Sequence, residues 1–80
     1  MNVNHLGRPV NKDLTRLFSR IPDVYTYREY ISLMNEIGWA RQDRLISARE
    51  EAALAGCLTH WAKTMSIPIT EEEYSDQMYR

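Results

Sequence analysis

Residues 47–65 read SAREEAALAGCLTHWAKTM, and this stretch decides the fold. It opens on a capping-box pattern, because Ser47 is followed three residues later by Glu50. From Ala48 to Met65 nothing interrupts the helix except Gly56, which costs about 1 kcal/mol relative to alanine. The sequence therefore predicts a helix over 48–65, the longest in the chain and the centre of its fold.

Two rows of side chains run along this predicted helix. The first is large and apolar, and it comprises Leu54, Leu58, Trp61 and Met65. The second is small, and it comprises Ala52, Ala55, Gly56, Thr59 and Ala62. Because small side chains let a second helix approach closely, we expect burial on more than one side, with Cys57 as a small core residue. An alternative is an assembly subunit in which the small row packs against a second copy.

A shorter helix is predicted upstream, over 12–21. Asn11 or Lys12 is placed to cap it, and Pro22 ends it. The helical spacing of its apolar side chains gives one stripe, formed by Leu14, Leu17, Phe18 and Ile21.

The middle of the chain predicts another helix over 27–37. Thr26 and Glu29 form a second capping-box pattern, and Gly38 is the natural left-handed stop. Apolar residues recur at helical spacing, at Tyr27, Tyr30, Ile31, Met34 and Ile37. Residues 39–46 lack a clean period and predict a loop or one short helical turn.

The two ends of the chain are less regular. Residues 1–10 show neither helical nor strand periodicity, which predicts an extended arm. Thr70 and Glu73 give a third capping-box pattern, and a short helix over 71–79 follows if it docks on the rest of the chain. The fold class predicted for 1–80 is one small all-α domain of three to four helices.

Composition narrows the function classes. The 80 residues are 44% hydrophobic and 26% charged, as in ordinary globular domains. Ten basic and eleven acidic side chains give a net charge of −1, so there is no overall electrostatic attraction to nucleic acid or membrane. Cys57 is the only cysteine, and no apolar stretch approaches the ~20 residues of a membrane span or forms a signal peptide. We expect a cytoplasmic protein with no membrane partner.

Catalytic and metal-binding patterns are incomplete in this sequence. Cys57 and His60 stand one helical turn apart, which is half of a zinc site, but His5 is the only other histidine. The three glycines are scattered singly, so there is no glycine-rich phosphate loop, and no Gly-x-Ser-x-Gly elbow occurs. We expect no enzyme activity, no cofactor and no metal.

Aromatic residues exceed what a core of this size can enclose. Tyrosine, tryptophan, arginine and methionine are enriched at protein interfaces. The candidate interface residues are Tyr25, Tyr27, Trp39, Tyr74, Met78 and Tyr79. They favour a small protein–protein interaction module that binds and regulates or inhibits another protein, and a homodimer is expected. The compact size is typical of accessory proteins of bacteria or their phages.

The alternative is a small DNA-associated transcriptional regulator that uses a basic face on the first helix. Lys12, Arg16 and Arg20 are spaced by four residues and follow Arg8, so they form a stripe able to meet phosphates.

A helix-turn-helix would be the sharper DNA-binding pattern, with its turn at Gly38. The residues after that turn should bury apolar side chains, but Arg41, Asp43 and Arg44 occupy those positions. This is the only plausible frame for the motif in the sequence, and it fails.

Overall fold

The structure is a computed structural model, and it describes residues 11–78. Its elements in chain order are α1 (Lys12–Arg20), a 3-10 turn (Ile21–Asp23), α2 (Tyr27–Gln42), α3 (Ala48–Thr64) and α4 (Glu71–Met78). No strand occurs within that range, and the prediction of a small all-α fold is confirmed. The arm predicted for 1–10 lies outside the described residues.

The N-terminus of α1 is capped by Asn11. Its side-chain oxygen accepts a hydrogen bond from the Leu14 N–H at 3.1 Å, as an N-cap residue should. Its side-chain amide donates to the Leu45 carbonyl at 3.1 Å. The cap therefore also ties α1 to the connection between α2 and α3.

The predicted end of α2 at Gly38 is wrong, because the helix continues to Gln42. The added turn buries Ala40 against the core, which an earlier stop would leave in solvent. The left-handed residue that ends the helix is Arg44, with φ 62°. The Leu45 N–H donates to the Ala40 carbonyl at 2.9 Å, which completes a Schellman motif.

The capping box predicted for α3 is confirmed in both of its hydrogen bonds. The Glu50 N–H donates to Ser47 Oγ at 3.1 Å, and the Ser47 N–H donates to Glu50 Oε1 at 2.8 Å. The helix ends as α2 does, with Ser66 at φ 59° and the Ile67 N–H donating to the Ala62 carbonyl at 2.8 Å.

The core gathers around α3, which contacts α1, the 3-10 turn and α2. Its buried residues are Leu17, Ile21, Val24, Tyr30, Leu33, Ile37, Ala40, Ile46, Leu54, Leu58, Ala62 and Ile67. The central position predicted for α3 is therefore confirmed. On α2 the deepest positions are spaced as Tyr30, Leu33 and Ile37, while Ile31 and Met34 flank them half-buried.

The expectation that Cys57 lies in the core is wrong, because its side chain is exposed. Leu54 and Leu58 are fully buried, whereas Cys57 borders a surface groove beside them. Gly56 and Ala52, from the small row, are also exposed. Although α3 contacts α1, the 3-10 turn and α2, it keeps an open face of exposed residues, formed by Ala52, Ala53, Gly56, Cys57 and His60.

Candidate functional site

Among residues 11–78, the two most exposed aromatic side chains lie at the two ends of α2. Tyr25, just before the helix, is 62% exposed, and Trp39, in its last turns, is 60% exposed. The part of α2 between Tyr27 and Trp39 alone spans roughly 18 Å along the helix axis. They therefore belong to two different surfaces.

The Trp39 surface is a shallow groove at the C-terminal end of α2. Its residues are Arg16, Glu36, Trp39, Ala40, Asp43 and Leu45. Leu45 is 44% exposed, yet its backbone is fixed by the bond to the Ala40 carbonyl and by the Asn11 amide. The groove thus presents two large apolar side chains on a backbone that is already ordered.

Sequence reasoning missed Leu45 and Asp43 as parts of this surface. Both depend on where α2 ends, and the sequence predicts that end at Gly38. The signal that would have found Leu45 is the apolar residue that commonly follows the left-handed position of a Schellman motif.

The electrostatics of this groove centre on Glu36. Its carboxylate is paired with Arg20 and lies 3.7 Å from the Arg16 guanidinium. Arg16 is also 3.8 Å from Asp13. Within the described range no basic side chain lies within ion-pair distance of Asp43. The groove therefore offers a carboxylate to a partner beside Trp39.

Two side chains of the predicted basic stripe therefore form ion pairs with another part of the protein. Lys12, Arg16 and Arg20 all lie on α1, but Arg16 and Arg20 share the Glu36 carboxylate. Arg8 lies outside the described residues. Two of the side chains predicted to meet phosphates therefore already contact a carboxylate of α2.

The helix-turn-helix interpretation used the wrong turn, because α2 runs through Gly38. The connection to α3 is residues 43–47, and Ile46 within it is buried. On the open face of α3, cations appear only toward the ends, at Arg49 and Lys63. The exposed residues between them include Ala52, Ala53, Gly56, Cys57 and His60. A phosphate backbone along this face would meet few positive charges.

The Tyr25 surface is built on Trp61 of α3. The Trp61 Nε1–H donates to the Val24 carbonyl at 2.7 Å, and the Tyr25 ring packs edge-on against the indole with centroids 6.4 Å apart. The Tyr25 N–H donates to Glu29 Oε1 at 3.0 Å. This hydrogen bond, followed by the one from the Thr26 hydroxyl, lowers the pKa of Glu29.

The remaining aromatic candidates meet each other. Tyr27 of α2 and Tyr74 of α4 stack with centroids 4.8 Å apart and planes 21° apart. Tyr27 is half-buried and Tyr74 is 37% exposed, whereas Met78 is 63% exposed. Tyr79 lies outside the described residues. The structure therefore brings Tyr27 and Tyr74 together in an internal contact, away from Trp39.

Cys57 and His60 border one apolar groove together with Ile21 and Trp61. Across residues 11–78, no cluster of three histidine, cysteine, aspartate or glutamate side chains is placed to hold a metal ion.

None of the helices in the described part of the chain combines the length and apolar character needed to cross a membrane. Comparison of the chain with protein-family models, curated proteins and solved structures finds no match. Function is therefore inferred from the surfaces themselves.

Proposed function

We propose that the chain is a small protein–protein interaction module that binds and regulates or inhibits another protein through the Trp39 surface. The observation that carries the proposal is the 60% exposure of Trp39 on a helix whose end is well ordered. Tryptophan is among the residue types most enriched at binding hot spots. Because the exposed indole is carried by a helix, a partner can bind it without the entropic cost of ordering a loop.

The apolar energy available at this surface is substantial. A large aromatic side chain buries 150–250 Å², and each Å² of apolar area removed from water contributes about 25 cal/mol. Covering the exposed 60% of Trp39 would therefore contribute about 3 kcal/mol. Leu45, 44% exposed beside it, extends the same patch.

The charges around the patch indicate the chemistry of the partner. Glu36 is neutralised by Arg16 and Arg20, whereas Asp43 is not paired within residues 11–78. A partner that inserts an apolar side chain between Trp39 and Leu45 and places a lysine or arginine beside Asp43 complements both features. Such a rim charge contributes mainly to association rate and specificity.

A second copy of the chain is the other occupant to consider, since a homodimer is expected from the sequence. A twofold dimer would place each Trp39 surface against the same surface of its partner. It would also bring the two Asp43 carboxylates near one another. This repulsion favours a different protein as the partner. Molar mass in solution, measured over a range of concentrations for the wild type and for Trp39→Ala, separates the two cases.

The test is capture of binding proteins by the tagged chain and by matched variants. Trp39→Ala should lose the specific partner, and Leu45→Ala should weaken its capture. Tyr25→Ala is the matched control, because Tyr25 is exposed to the same extent at the other end of α2. Loss of the partner with Tyr25→Ala but not with Trp39→Ala would contradict the assignment to the Trp39 surface.

A further inference from the structure

The N-terminus of α1 lies beside the Trp39 surface. Asn11 caps α1, and its side-chain amide donates to the Leu45 carbonyl at 3.1 Å. Leu45 lines the groove of that surface together with Trp39. Residues 1–10, outside the described part of the chain, are therefore tethered at this groove and not at the Tyr25 end of α2.

The tether is short compared with the groove. Each residue of an extended chain spans at most about 3.6 Å, so no more than about 11 Å of backbone separates Arg8 from Asn11. By the same measure, Asp43 lies within about 7 Å of Leu45 along the chain. The long side chain of Arg8 is therefore within reach of the Asp43 carboxylate.

The groove lacks a cation that residues 1–10 supply. Arg16 lines the groove, but its guanidinium lies against the carboxylates of Glu36 and Asp13. No basic side chain between residues 11 and 78 forms an ion pair with Asp43. Residues 1–10 carry Arg8 and no acidic residue. The charges of the segment and of the groove are therefore complementary.

The apolar part of the segment is spaced to match the groove. Leu6 stands two residues before Arg8, and Pro9 disfavours helical backbone at Arg8. In an extended chain, side chains two residues apart lie on the same face. Leu6 and Arg8 can therefore meet the apolar patch around Trp39 and the carboxylate at its rim at the same time.

We propose that residues 1–10 fold back onto the Trp39 surface of the same chain. Leu6 covers the indole of Trp39, and Arg8 pairs with Asp43. The segment thus presents an apolar side chain beside a cation, which is the chemistry that complements this surface in a partner. The regulatory part of the inference rests on the proposed function: a partner binds the Trp39 surface by displacing the segment, which acts as an intramolecular competitor.

Tethering sets the strength of this competition. A short tether holds the segment at an effective concentration on the order of millimolar. The apparent dissociation constant of a partner rises by the inverse of the fraction of chains whose surface is open. A segment that covers the surface in most chains therefore weakens a partner several-fold and excludes weak ligands.

NMR of the full chain tests the contact without any partner. Nuclear Overhauser effects are expected between the Leu6 methyl protons and the Trp39 ring protons within one chain. A sample that mixes labelled and unlabelled chains distinguishes contacts within a chain from contacts between chains. The proposal is overturned if residues 1–10 give no such effect, if they contact another surface, or if they contact this groove only in a second copy.

A charge reversal tests the ion pair. Arg8→Glu should abolish the contacts between Leu6 and Trp39, and Asp43→Arg in the same chain should restore them. Arg28→Glu makes the same change in charge at the opposite end of α2 and should leave them unchanged. An Arg8→Glu chain that keeps the wild-type contacts would overturn the pairing with Asp43.

Affinity for the captured partner separates this inference from the proposed function. Arg8→Glu should bind the partner several-fold more tightly than the wild type, and Leu6→Ala, which keeps the charge, should do the same. If these variants bind as the wild type while Trp39→Ala loses binding, the regulation is overturned and the proposed function stands. If Trp39→Ala binds normally while the contacts of Leu6 are present, the proposed function fails and the docked segment stands.

Discussion

Arg20 of α1 is paired with Glu36 of α2, and the pairing joins two helices. Arg16 reaches the same carboxylate at 3.7 Å. The basic stripe that motivates the DNA-binding alternative is therefore partly neutralised by the neighbouring helix. Both arginines are nearly half exposed, so this pairing contributes little to stability but does change the field that a phosphate backbone would meet.

This arrangement predicts that Glu36→Gln strengthens non-specific DNA binding, because it leaves Arg16 and Arg20 without their carboxylate. Fluorescence anisotropy with a short duplex at low salt should show tighter binding than for the wild type, and added salt should remove the difference. Glu51→Gln on α3 makes the same change in net charge away from the stripe and is the control. If Glu36→Gln and Glu51→Gln bound DNA with equal affinity, Glu36 would not be the group that neutralises the basic stripe.

The extension of α2 past Gly38 predicts that Gly38→Ala stabilises the protein. A methyl group there would meet no atom within 4 Å, apart from immediate neighbours and the helix's own backbone. Alanine is favoured over glycine in a helix interior by about 0.5–1 kcal/mol. The free energy of unfolding from urea denaturation should rise by about that amount. Gly56→Ala in α3, equally open, should behave alike. If Gly38→Ala destabilised the protein while Gly56→Ala did not, Gly38 would again be the expected end of the helix.

The sequence predicts features that follow from local patterns, and it misses features that depend on tertiary packing. The caps at Thr26, Ser47 and Thr70 depend on residues three apart, and each hydroxyl accepts the expected backbone hydrogen bond. The predicted end of α2 at Gly38 is wrong because the residue that ends the helix is a left-handed arginine, which is intrinsically unfavourable. Arg44 adopts that conformation where burial of Ala40 and Ile46 on either side fixes the turn.

The candidate surfaces likewise combine features that local sequence predicts with features that depend on tertiary packing. Tyr25 and Trp39 lie just outside the helix predicted over 27–37, and both are exposed. The stack of Tyr27 on Tyr74 joins residues 47 positions apart, and no local pattern encodes it. The role of Glu36 against α1 likewise depends on how two helices pack, which the sequence of either helix alone does not specify.

The cap of α2 predicts a specific dependence on pH. Hydrogen bonds from the Tyr25 N–H and the Thr26 hydroxyl hold the pKa of Glu29 below its ordinary value of 4.5. A carboxyl with a lowered folded-state pKa adds stability above its unfolded pKa and loses that contribution as the pH falls through the folded pKa. NMR titration should therefore give Glu29 a lower pKa than an unstructured glutamate.

Two variants test the cause of this shift. Thr26→Ala should raise the pKa of Glu29 only part of the way, because the Tyr25 N–H, the larger cause, remains. Glu29→Gln should remove this part of the acid dependence of stability. A Glu29 pKa at the ordinary value in the wild type would show that the cap does not form.

The central claim is that Trp39 anchors a partner protein, and calorimetry of the captured partner tests it most directly. Trp39→Ala should weaken binding by about 30-fold, equivalent to the roughly 2 kcal/mol that defines a hot-spot residue, while Tyr25→Ala should bind as the wild type. Circular dichroism should show that both variants keep the helical fold. A folded Trp39→Ala variant that binds with wild-type affinity would contradict the claim.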